Sequence, residues 1–187
     1  MSSGGRTVSQ VLGAASRRVM TSATTSTAEH ATASFDAVFQ SHYARLVNVV
    51  AAACGDRDLA TDLVQQAFVE LWANWKTVCR YESPSGWVAR VAINRLRNHH
   101  RSLRRRTAAL LRVEGEPTTQ APAGEFAANL ATALRHLPLR QRIAVVLYYV
   151  DDRPIAEIAT TMGIAEGTVN RYLFRARETL RTLLEAS

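Results

Sequence analysis

Apolar positions in this chain recur at intervals of three and four rather than two, the spacing of helices with one buried face. Phe35, Val38, Phe39, His42, Leu46, Val49, Val50 and Ala53 share such a face, with Ser34 placed to cap it and Cys54-Gly55 to end it. Asp56 can cap a second helix, whose stripe is Leu59, Leu63, Ala67, Leu71 and Trp75. Periodicity fails from Lys76 to Ser85, a predicted loop. Ser83-Pro84 starts a third helix, since proline at the first helical position gives up only an unpaired N–H. That helix is expected to run to about Arg106, with Trp87, Val88, Val91, Ala92, Leu96 and Leu103 inward. Residues 114–124 carry Pro, Gly, Thr and Gln without apolar period and read as a flexible linker. The helical pattern resumes near Phe126, pauses at Leu137-Pro138 and continues from Arg140 to Val150. After an Asp151–Pro154 turn come two helices, Ile155–Thr161 and Glu166–Leu184. No strand period competes, so the expected class is all-α: two small helical domains, residues 34–113 and 125–187, joined by that linker. Residues 1–33, rich in Ser, Thr and Ala, are expected to be a disordered extension.

The last two helices have the makings of a helix-turn-helix. Two helices crossing steeply need a short turn that tolerates positive φ and a small residue at the crossing. Gly163 meets the first need and Ala159 the second, while Ile158, Ile164, Val169 and Leu173 can form the shared core. The final helix then exposes Glu166, Thr168, Asn170, Arg171, Phe174, Arg175 and Glu178. Asn can pair with adenine, Arg with guanine or phosphate, and Thr or an aromatic can touch thymine methyls. Gly167 and Thr168 are expected to leave backbone N–H groups free for a phosphate. An ordinary helical hairpin with a solvated polar face remains open at this point, because the face has mixed sign.

Charge changes the picture in the first domain. The chain carries a formal +7, and Lys76 is the sole lysine among its basic residues. Arginine suits bidentate contacts to phosphate, although a GC-rich genome also raises its share. Residues 34–113 hold twelve Lys/Arg against six Asp/Glu, whereas residues 125–187 hold eight against seven. A polyanion partner is therefore expected mainly at the first domain. Arg90, Arg95, Arg97, Arg101, Arg104, Arg105 and Arg106 crowd the third helix with His99 and His100, and no acid lies between Glu82 and Glu114. Solvated helix faces normally mix signs, so this one reads as a phosphate-tracking surface, with Asn94 and Asn98 beside it. The aromatics Trp72, Trp75, Tyr81 and Trp87 are expected to cluster near the preceding loop, where rings can stack on unpaired bases, though Trp72 and Trp87 also fit a plain core. Helix two differs again: Asp58, Asp62, Gln65, Gln66, Val69 and Glu70 make a polar, acidic face that would repel DNA and suits either solvent or a protein partner.

Other chemistry is not indicated. Two cysteines, Cys54 and Cys79, are too few for a disulfide framework and lack metal-ligand spacing, so structural thiols are expected. No carboxylate cluster points to nucleic-acid hydrolysis. No apolar run reaches the length of a membrane span, and the N-terminal stretch lacks the apolar core of a secretory signal. A cytoplasmic protein is expected.

Taken together these residues resemble the extracytoplasmic-function (ECF) type of RNA polymerase sigma factor, in the sigma-70 family. Asp56-Arg57-Asp58 with Asp62-Leu63-Val64-Gln65-Gln66-Ala67-Phe68 is similar to the family's region-two motif. Trp87 to Asn94 and the following arginines resemble that region's DNA-facing helix. Leu137 to Arg142, Ile155 to Ala159, and Glu166-Gly167-Thr168-Val169 with Arg175-Ala176-Arg177 resemble region four. The resemblance implies that Asp62, Gln65, Gln66 and Phe68 dock on the polymerase. It implies that Arg90, Asn94, Arg97, Asn98 and Arg101 engage and help melt the −10 element, and that Thr168, Asn170, Arg171, Phe174 and Arg175 face the −35 element. It implies core RNA polymerase and promoter DNA as partners, admits an anti-sigma factor, and implies no catalytic residue, metal or cofactor. This sequence departs from the family pattern at Gln66, where Glu is usual, at Ala165, where a Ser or Thr cap is usual, and at Asn170 and Tyr172, where basic residues are usual. The runner-up is a two-domain helix-turn-helix regulator, whose first domain would need a ligand pocket or dimer face instead of docking and melting surfaces.

Overall fold

The computed structural model describes residues 34–110 and 132–185. The extension 1–33, the linker 114–124 and the resumption of helix near Phe126 lie outside the described residues. Seven helices have defined bounds: α1 Phe35–Cys54, α2 Arg57–Ala73, α3 Trp75–Val78, α4 Pro84–Leu110, α5 Leu139–Tyr149, α6 Ile155–Met162 and α7 Glu166–Glu185; residues 132–136 are helical as well. No strand occurs among the described residues, and none of their helices is long and apolar enough to cross a membrane. The class is all-α, as the spacing of apolar residues requires.

Local chemistry sets most boundaries. Ser34 Oγ accepts from the Ala37 N–H at 3.1 Å, and Asp56 Oδ1 accepts from the Leu59 N–H at 3.0 Å, so each satisfies a donor that the first helical turn leaves unpaired. Gly55, at φ +78°, ends α1 in the left-handed conformation that glycine adopts without a Cβ clash. Ser83 Oγ accepts from the Gly86 N–H at 2.9 Å and opens α4 beside Pro84. The expected loop from Lys76 begins instead as a short helix. Asn74 breaks α2, its side-chain amide donating to the Glu70 carbonyl at 2.8 Å, and Trp75 starts α3. Trp75 therefore belongs to α3, and α4 runs four residues beyond the expected Arg106.

The N-terminal helices α1, α2 and α4 pack on one another around Leu46, Val50, Leu63, Val64, Leu71 and Ile93. In the C-terminal part, α5 packs on α7 and both touch α6. Ile143 to Leu147 are all buried, a run no single helix face can contain. The reason is that α5 lies against α7 and also against α1. With α6 packed on α4, the two halves form one continuous apolar core.

Candidate nucleic-acid interface

The basic residues of α4 divide according to what the helix packs against. Arg90, Asn94, Asn98, Arg101, Arg104, Arg105 and Arg106 are exposed. Arg95 is turned the other way: it donates to Gln66 Oε1 at 2.8 Å and to Glu70 Oε1 at 2.6 Å on α2. It is thus a strut between helices and does not join the exposed basic face that the sequence led us to expect. Arg97 is half-buried and donates to the Met162 carbonyl at 3.0 Å and to Asn94 Oδ1 at 3.3 Å. Burial, then Arg140 and Arg101 nearby, hold its guanidinium below the ordinary arginine value. His99 is exposed, while His100 is partly covered and held below the ordinary imidazole value by burial, then by Arg104 and Arg142.

The helix-turn-helix has the geometry its sequence requires. Gly163 sits at φ +64°, and the Ile164 N–H donates to the Ala159 carbonyl at 3.0 Å, closing the turn. Ile158, Val169 and Leu173 are fully buried in the crossing, with Ala159 small enough to lie between the helices. Asn170, Arg171, Phe174 and Arg175 project from α7 into solvent, Phe174 being 62% exposed, and Thr168 is half-buried beside them. One expectation fails here. The Thr168 N–H is not free for a phosphate, because it donates to the Ala165 carbonyl at 2.9 Å.

On α2 the structure brings together Asp58, Asp62, Gln65, Gln66 and Val69 as an exposed strip. Phe68 does not join it. That ring is 3% exposed and packs edge-on against Phe35 and Phe39, at centroid distances of 6.4 and 5.1 Å. Its place in the motif is a core position, seven residues from Trp75 and one from Ala67, and the sequence pattern alone did not separate it from the face. The aromatic cluster also differs from expectation. Trp72 and Trp75 both meet Phe35, at 4.9 and 5.8 Å, in a set completed by Phe39 and Tyr43. Trp72 remains 65% exposed, whereas Trp87 packs partly buried against the core of α4. Cys54, half-buried, donates to the Asp56 carbonyl at 3.0 Å, and burial pushes its thiol up, away from reactivity.

One constellation has no signal in the spacing of the sequence. Asp151, 1% exposed, receives Arg45 from α1 and Arg153 from its own turn, and Arg45 also reaches the Asp151 carbonyl. Asp152 next to it holds φ +49°, in the left-handed region. Arg142 donates to the Ala53 carbonyl of α1 at 3.2 Å and to the Arg135 and Leu137 carbonyls at 2.9 and 3.1 Å. With Arg97 on Met162, three arginines cross between the halves.

Residues 38–106 match the family described as Sigma-70 region 2, and residues 127–180 match Sigma-70, region 4. The chain is 30% identical over 155 residues to the ECF RNA polymerase sigma factor SigL of Mycobacterium tuberculosis, covering 80% of this chain and 88% of that one. It is 29% identical over 151 residues to SigM of the same species, covering 80% and 76%. A chain from the co-crystal structure of the sigma factor RpoE with the anti-sigma factor NepR from Bartonella quintana has the same fold. Its TM-score is 0.70 at 23% identity, over 81% of this chain and 96% of that one.

Proposed function

The chain belongs to the ECF RNA polymerase sigma factors of the sigma-70 family, and from that premise we propose how its surfaces divide the work. It directs promoter-specific transcription initiation as a specificity subunit of RNA polymerase. In our reading residues 34–113 and 125–187 act as separate domains once bound, tethered by residues 114–124. The strip Asp62, Gln65 and Gln66 on α2 docks on core polymerase, with Val69 at its apolar centre and Phe68 supporting it from beneath. Arg90, Asn94, Asn98 and Arg101, joined by Arg97 when it leaves Met162, engage the −10 element. Thr168, Asn170, Arg171, Phe174 and Arg175 read the −35 element. Linking two modest DNA contacts through one polymerase raises the effective concentration of the second. The protein does no chemistry itself, works in the cytoplasm where the polymerase is, and is open to masking by an anti-sigma factor of the kind crystallised with RpoE of Bartonella quintana.

The observation that carries this reading is the order of parts. One chain holds an acid-strip helix, then an acid-free arginine helix, then a helix-turn-helix, within matches to region 2 and region 4. A free-standing helix-turn-helix regulator has no use for the first two. Run-off transcription with core polymerase tests it: promoter-specific transcripts are expected from a promoter library only when this protein is added. Absence of both transcript and core complex would refute it. An Asp62→Arg, Gln65→Arg double variant should lose core binding while keeping its helical circular dichroism; retained binding would move the docking face elsewhere.

A further inference from the structure

Between α4 and the start of α5 lies an open groove of about 960 Å³. Arg97, Arg101, Arg104 and Arg105 wall one side, and Arg135 and Arg140 wall the other. Among the described residues no carboxylate lines it, and Arg97, Arg101, Arg104, Arg105 and Arg140 form no ion pair. A second cavity of about 170 Å³ adjoins the groove, the two sharing His100, Leu139 and Arg142. Its remaining wall is mainly apolar, from Leu59, Leu96 and Leu103.

Like charges drawn together from both halves repel, and the repulsion is felt more strongly as water is excluded. Arg97 and His100 are held below their ordinary values first by burial, and the neighbouring arginines act in the same direction. Arg142 carries the same mark, first from burial and with Arg135 acting in the same direction, and its Nε is buried without a hydrogen-bond partner. An anion in the groove would offset the charge of Arg101, Arg104, Arg105 and Arg140. Guanidinium forks match phosphate oxygens in pairs, and a mostly apolar pocket with an imidazole at its rim suits a flat heteroaromatic ring.

We propose that the groove and its side pocket form a nucleotide site, with the phosphate chain across the arginine walls and the base between Leu103, Leu139 and His100. Because the walls come from both halves, an occupant ties them together and favours the closed arrangement. The nucleotide has two possible sources, a free nucleoside triphosphate or one residue of a single strand.

Titration calorimetry on the full chain tests the site, using ATP, inorganic tripolyphosphate and a short oligothymidylate as probes. ATP is expected to bind about tenfold tighter than tripolyphosphate. Arg104→Glu and Arg140→Glu, one on each wall and both exposed, should each weaken ATP about tenfold. Leu103→Trp fills the pocket from a site that is 46% exposed, so the fold is kept. It should erase the preference for ATP and leave tripolyphosphate binding unchanged; Leu139→Trp is the second variant for the same purpose. Oligothymidylate that displaces ATP and responds to Leu103→Trp and Arg140→Glu assigns the site to a strand. Oligothymidylate that binds without displacing ATP assigns it to the free nucleotide. Three results overturn the proposal. They are no ATP binding, equal affinity for ATP and tripolyphosphate in the unaltered chain, or sensitivity to Arg104→Glu alone, which would make α4 a simple polyanion surface.

Discussion

Asp151 offers the most direct test of whether the two halves are one folding unit. Its carboxylate is 1% exposed, and its partners Arg153 and Arg45 are 16% and 56% exposed. Asp151→Ala leaves Arg153 largely buried with an uncompensated charge, and breaking a buried pair in this way costs about 3–5 kcal/mol. The share of Arg45 is screened by solvent and is worth about 0–1 kcal/mol. We therefore expect a loss of about 3 kcal/mol for Asp151→Ala and at most about 1 kcal/mol for Arg45→Ala. The assay uses the positions of the three tryptophans, Trp72, Trp75 and Trp87, which all precede residue 111. Urea unfolding followed by tryptophan fluorescence thus reports the N-terminal half, although the substitution is in the C-terminal half. With a slope of about 2 kcal/mol per molar, the fluorescence midpoint should fall by roughly 1.5 M. The midpoint from far-UV circular dichroism should fall with it. If the fluorescence midpoint stays put while circular dichroism splits into two transitions, the halves unfold independently and the reasoning fails.

Three further outcomes are expected. Gly163→Ala forces a Cβ into φ +64° with nothing nearby to clash, so backbone strain alone should cost about 1 kcal/mol, read as a small drop in Tm. Arg171→Ala and Arg175→Ala should each weaken binding of the complex with core polymerase to an upstream promoter element by about 1–3 kcal/mol in a gel-shift titration, without altering Tm; unchanged affinity would remove them from the contact set. His42 is held below the ordinary imidazole value of 6.5 by burial, then by Arg45 and Arg153, and His100 by burial, then by Arg104 and Arg142. The unfolded chain therefore takes up these protons first as pH falls. Stability should be complete above 6.5 and decline as pH drops through the lower folded values, and a His42→Gln, His100→Gln variant should flatten that slope in urea titrations.

The helices and their caps were legible in the sequence because each follows from local chemistry: Ser34, Asp56 and Ser83 cap where their side chains can reach the next turn's N–H groups, and Gly163 turns where only glycine is unstrained. The α7 face was legible for the same reason, since helical spacing decides exposure once Val169 and Leu173 are assigned inward. What could not be read depends on partners far away in the chain. Arg95 looked like one more basic residue until α2 placed Gln66 and Glu70 beside it. Phe68 lies in a motif whose neighbours Gln65, Gln66 and Val69 are exposed, and only the approach of α1 makes it core. Asp151 pairs with Arg45 across 106 positions, a distance at which spacing carries no signal. The reading of the C-terminal half as nearly neutral missed that Arg135, Arg140 and Arg142 converge on the arginines of α4.

The burial of α5 on both sides has a further consequence. For α4 and α7 to lie on two separated stretches of DNA, α1 must leave α5, and the side of α5 it covered would then meet water. Exposed apolar patches of that kind are a liability in a free protein. Release is therefore an exchange of surfaces: whatever separates the halves must also cover what they hid from each other. A large partner that holds both domains can do this, whereas naked promoter DNA, which offers phosphates and base edges, cannot. On the proposed function, selectivity for DNA bound together with polymerase, over DNA alone, would follow from the burial of the run Ile143 to Leu147.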